Sequence, residues 1–160
     1  MVKGYLFVPK KATAQSKAPA ILYCHWHGGQ YDIGKGELLG TNAVPVAPGP
    51  ALAEAGYVVL GIDAPCFGER NGQGPDGPQQ KGSAGEMTAS KFHLWAGLTL
   101  WGMMIRDDLT ALDYLCSRPE VDAQRIGVAA RDHQQHRLAA ALQQRVGRDR
   151  RAHLHDLDRP

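Results

Sequence analysis

The sequence predicts an α/β fold with three layers, α/β/α, around a mostly parallel sheet. Three observations carry this. Short β-rich apolar runs alternate with helical patterns as far as Val128, a glycine closes a helix directly before a strand, and a long amphipathic helix precedes the last strand.

Taken in order, Tyr5-Leu6-Phe7-Val8 is a short apolar run stopped by Pro9, and Ala20-Ile21-Leu22-Tyr23-Cys24 is a second run that enters a turn at Gly28-Gly29. Both read as strands. Ala51-Leu52-Ala53-Glu54-Ala55 followed by Gly56 reads as a helix end with its C-terminal glycine, and Tyr57-Val58-Val59-Leu60-Gly61-Ile62 as a strand buried on both faces. Helix then strand makes a right-handed parallel crossover.

Between Asn71 and Ser90, five glycines and two prolines accompany one large apolar residue, Met87, which predicts a flexible surface loop over 71–90. From Leu98 onward, Leu98, Trp101, Ile105, Leu109, Leu112 and Leu115 recur at spacings of three and four and predict an amphipathic helix, stopped at Arg118-Pro119. Val121-Asp122-Ala123-Gln124 then reads as a turn into a strand opening at Arg125-Ile126-Gly127-Val128.

Composition narrows the function classes. A chain of 160 residues, 43% apolar and 21% charged, fits one globular domain with a core. The net charge of +2 gives no basic or acidic surface of the size that a nucleic-acid or membrane partner needs. The first nine residues carry no signal-peptide pattern and no window nears a membrane span, so cytoplasmic residence is the expectation. Three cysteines, an odd number and widely spaced, read as reduced thiols.

After Val128 the character changes. Residues 129–160 form an atypical basic tail with seven arginines between Arg131 and Arg159. Leu138, Leu142 and Val146 fall on one stripe and predict a helix over 136–146, followed by a polar, disordered end. The arginines alternate with aspartates and no aromatic residue interleaves them, which argues against nucleic acid. Two accounts fit the change. In one, the reading frame shifts: moving the codons of residues 131–137 by one base permits Gly-Thr-Thr-Ser-Ser-Thr-Gly. In the other, the tail is genuine and its helix packs on the sheet.

Several residues are candidates for chemistry. Cys24, His25 and His27 are zinc-ligand types, but Cys24 and His25 point to opposite faces of a strand and no fourth ligand lies at a suitable spacing, so the expectation is no metal and a satisfied turn histidine. Asp63 ends a strand at the carboxyl edge of the sheet, and organising the loop 66–70 is its favoured role, with Glu69 and Arg70 read as a loop ion pair. Asp107 and Asp108 are adjacent, cannot share one helix face as an acid–base pair, and read as solvated charges. Cys24, Cys66 and Cys116 are weak nucleophile candidates, none with a histidine at a certifying spacing. No cofactor is expected.

Three blocks in order, Ile21 through Gly29, Gly61 through Arg70, and Arg106 through Leu115 continuing to Gly127, resemble the α/β-hydrolase superfamily. The branch is that of dienelactone hydrolase and acetyl-xylan-esterase-like proteins, and the similarity covers roughly residues 4–128. The resemblance implies an α/β-hydrolase fold, here incomplete. It also implies that the turn His25-Trp26-His27-Gly28-Gly29 lends backbone N–H groups to an oxyanion hole, with Trp26 and His27 as donors.

In the family, the strand Arg125-Ile126-Gly127-Val128 runs into a Gly-x-Ser-x-Gly elbow, and the acid and histidine follow later. Here no serine follows Ser117, so no catalytic residue is assigned. The expectation is a truncated or frame-disrupted member of a serine ester hydrolase family, inactive as this chain, whose intact relatives act on small-molecule esters. The alternative is a non-catalytic binding or assembly module that self-associates through an open sheet edge.

Overall fold

The computed structural model describes residues 2–42 and 45–130. Four strands, β1 (Gly4–Phe7), β2 (Ala18–Cys24), β3 (Val58–Ile62) and β4 (Val121–Ala130), form one open sheet in the order β1-β3-β2-β4. β1 is antiparallel to β3, with Gly4 opposite Ile62, while β2 is parallel both to β3 and to β4. The two inner strands are buried nearly throughout, as their continuous apolar sequences require.

Helices cover both faces. α3 (Leu100–Ser117) packs Ala111, Leu112 and Leu115 onto Ala20, Leu22, Cys24, Val58 and Leu60. On the other face, Leu38 from a 3-10 turn at Gly34–Leu39, together with Leu52 of α1 (Pro48–Glu54), covers Tyr23 and Val59. The result is the expected α/β/α arrangement with a mostly parallel sheet.

The structure corrects four local expectations. Residues 71–90 are not simply a loop, because α2 (Gly82–Trp95) begins within them. Only Gly85 and Ala89 of α2 are buried, so apolar composition carried no signal for it. Polar contacts anchor it instead: Asn71 Oδ1 accepts from the Gly82 N–H at 2.8 Å, and Glu86 bonds two side chains of the turn after β2.

Second, β4 already begins at Val121. The expected turn at 121–124 lies inside the strand as an irregularity, since Ala18 pairs with Val121 but Ala20 with Ile126, and Asp122 Oδ1 accepts from the Gln124 N–H at 3.0 Å. Third, the buried stripe of α3 is Leu100, Met104, Ala111, Leu112 and Leu115. Leu98 and Trp101 are exposed, because Leu98 precedes the helix and Trp101 lies one position off that stripe. Fourth, Asp108 continues the stripe between Met104 and Ala111 and is half-buried rather than solvated. The helix expected over 136–146 lies outside the described residues. No helix among the described residues is long and apolar enough to cross a membrane.

Candidate active site

Parallel strands deliver their carboxyl ends to one edge of the sheet, and the polar residues singled out in the sequence gather there. After β2 the chain turns through His25-Trp26-His27. After β3 it passes Asp63 and forms a short 3-10 turn at Gly68–Arg70.

Asp63 is the hub of this edge and is buried. Its carboxylate accepts from the Lys35 N–H at 2.7 Å, the Lys35 ammonium at 2.5 Å and the Glu69 N–H at 3.1 Å. Two glycines in the left-handed region make room for it: a Cβ would meet Asp63 Oδ1 at 2.1 Å from Gly34 and at 2.4 Å from Gly68. Burial works against the Lys35 charge, but Asp63 and Glu69 hold its pKa above the usual lysine value. Asp63 therefore organises the loop, as the sequence favours. The expected Glu69–Arg70 pair does not form: Glu69 pairs with Lys3 and Lys35, and Arg70 with Asp107 at 2.7 Å, because the 3-10 turn sends the two side chains to different elements.

His25 is a satisfied turn histidine. Its Nε2 accepts from the Ala64 N–H at 3.0 Å, so Nδ1 carries the proton and donates to the Trp26 carbonyl at 3.1 Å. Burial lowers its pKa below the ordinary value despite the opposing Trp26, Asp63 and Glu37 contributions, which keeps the ring neutral.

Of the two amides that the resemblance marks as oxyanion donors, that of Trp26 donates to Glu37 Oε2 at 2.7 Å. The His27 N–H has no acceptor among the described residues. The His27 ring is held from several sides: Nε2 bonds Glu86 Oε1 at 2.6 Å, and Phe67 and Trp101 pack against the ring at 4.9 and 6.4 Å. The other Glu86 oxygen accepts from the Tyr31 hydroxyl at 2.5 Å, and burial with this bond pushes Tyr31 up to about 12, so it remains a donor. Glu86 had no signature in the sequence, since an isolated glutamate in a glycine-rich stretch resembles any solvated one.

This bridge makes a prediction. Glu86→Ala removes two charge-assisted bonds and is expected to destabilise the chain by about 2 kcal/mol and to speed proteolytic cleavage within 71–98. Urea unfolding and limited proteolysis with trypsin check it. An unchanged cleavage rate would mean that Glu86 does not anchor α2.

The thiols are poor nucleophiles. Cys24 is buried in β2 and burial drives its pKa far up, Asp108 adding to this. Cys66 sits at φ 71°, and burial and then Glu86 raise its pKa, with Arg70 opposing. Cys116 is exposed near the far end of α3. No group of three or more metal-ligating side chains occurs among the described residues.

The mixed open sheet with helices on both faces is consistent with an incomplete α/β-hydrolase fold, the fold of the proteins that the chain resembles in structure. In sequence it is 41% identical over 126 residues to the Bacillus subtilis protein named "Putative hydrolase YtaP". In structure it resembles a protein described as a putative acetyl xylan esterase from Bacteroides fragilis (TM-score 0.63, 18% identity, 79% of this chain) and the acetyl xylan esterase from Paenibacillus sp. R4 (TM-score 0.50, 25% identity, 81% of this chain). The chain spans 38% of the Bacillus subtilis protein's length, and 34% and 36% of the two structures. No family model matches it.

Proposed function

We propose that this chain is the scaffold and oxyanion side of a carboxylic-ester hydrolase and does not itself turn over esters. The carrying observation is an asymmetry at one sheet edge. The His27 amide is unclaimed among the described residues beside the end of β2, where a tetrahedral oxyanion needs a donor, while no serine, threonine or cysteine follows Ser117 to act as nucleophile after β4.

In the reaction proposed for the intact counterpart, a serine after β4 attacks the ester carbonyl, and the His27 N–H takes up the negative charge that develops on oxygen. The alkoxide leaves with a proton, and water then releases the acid. His25 would brace the turn through Ala64, and Asp63 would hold the loop that carries Phe67 against His27. The activity named for the structural relatives, removal of acetyl groups from xylan, is one member of this class of reaction.

The purified chain is expected to give no turnover of 4-nitrophenyl acetate above the buffer rate and no labelling by a fluorophosphonate. A labelled serine would overturn the inactivity. The nucleotide sequence over codons 120–160 then separates the two accounts of the tail. A Gly-x-Ser-x-Gly elbow in a shifted frame supports frame disruption, and its absence from all three frames removes that account.

A further inference from the structure

A cavity of about 460 Å³ lies between the loop after β3, α2 and the start of α3. Cys66, Arg70, Phe92, His93, Leu100 and Met103 line it. It adjoins the candidate oxyanion turn through one residue on each of two elements. Cys66 is followed by Phe67, whose ring packs 4.9 Å from that of His27, and Leu100 by Trp101, which stacks on the same ring.

The chemistry of the wall selects what fits. Arg70, the single formal charge among the lining side chains, is matched by Asp107 at 2.7 Å, and its Nη1 also donates to the Asp63 carbonyl at 3.0 Å. His93 donates from Nδ1 to the Ala89 carbonyl at 2.7 Å, so that in the neutral ring Nε2 is the acceptor. The Gln73 amide is engaged by the Glu69 carbonyl. An anion would find no uncompensated cation, whereas Phe92, Leu100 and Met103 offer ring, branched and thioether surface. The volume lies within the range of small-molecule sites.

We propose that this cavity binds a neutral aromatic group of one or two rings, and that it is the pocket for the ester's alcohol or acyl part. The second half rests on the ester-hydrolase reading, whereas the binding itself does not. A hydroxyl on the ring would donate to His93 Nε2. The site thus discriminates for an aromatic ester over a simple acetyl ester of a polar alcohol.

Calorimetric titration of the full chain with 2-naphthol, with amide spectra recorded alongside, tests this without any turnover. Saturable binding with a dissociation constant below about 1 mM is expected, with shifts at the Ala89, Leu100 and Met103 amides and at least about tenfold weaker binding of the anionic 2-naphthoate. Ala89→Phe and Met103→Trp, which fill the cavity from two elements, are each expected to weaken 2-naphthol by about tenfold or more. Absence of saturable binding, equal affinity for 2-naphthoate, or unchanged affinity in both variants would overturn the proposal. The two unsubstituted-chain measurements decide it even if a filled variant does not fold. Binding that survives while a fluorophosphonate labels a serine of this chain would count against the proposed inactivity alone.

Discussion

Replacing Asp63 with alanine is expected to cost about 3 kcal/mol of folding stability, a large part of what a domain of this size possesses. The carboxylate satisfies a buried ammonium at 2.5 Å and two backbone N–H groups at 2.7 and 3.1 Å, all on loops that have no other bond to the end of β3 at those atoms. Removing it leaves the Lys35 ammonium with the half-exposed Glu69 at 3.2 Å as its carboxylate partner and the Tyr5 ring at 5.2 Å. Breaking a buried pair from one side costs more than the pair is worth, because the remaining charge stays desolvated. Asp63→Ala combined with Lys35→Met should therefore recover part of the loss, though the two backbone donors remain orphaned. Urea unfolding of both variants measures it. A loss under about 1 kcal/mol in the single variant would mean that the hub is dispensable.

Asp108→Asn is expected to raise stability at neutral and alkaline pH, by up to about 4 kcal/mol at pH 8. Burial, with the neighbouring Asp107 adding and Arg70 opposing, raises the Asp108 pKa from an ordinary 3.8 to about 7. In the window between those values the folded chain holds a proton that the unfolded chain has released. Stability contributed by this group is thus complete below about pH 4 and falls as pH rises towards 7. Asparagine keeps the shape and cannot ionise, so parent and variant should converge near pH 4 and separate above it. Unfolding midpoints at pH 4, 5.5 and 8 decide the matter, and a difference that does not change with pH would place the origin elsewhere.

The strands, α3 and the layer order were legible because each rests on a local pattern: continuous apolar runs for β2 and β3, and a 3.6-residue repeat for α3. His25 and Asp63 were legible as supports because the ends of parallel strands converge. The elements that escaped depend on partners distant in sequence. Glu86 meets His27 across 59 residues, and α2 exists through that bond and through Asn71 rather than through its own apolar face. Asp108 was misread because its charge masked its place in the stripe, which needs the phase of α3 to within one residue. The resemblance marked the amides of Trp26 and His27 alike, and only the three-dimensional position of Glu37 distinguishes them.

α2 also has a bearing on how the molecule would open. With two buried residues and a first N–H satisfied from outside the helix, it is weakly tied to the global unfolding transition and is expected to open as a unit at low cost. Its side chains wall the cavity through Phe92 and His93 and hold the His27 ring through Glu86. One sub-global opening of α2 would therefore open the cavity and release the His27 ring in the same event, so that access and local disorder share a single equilibrium.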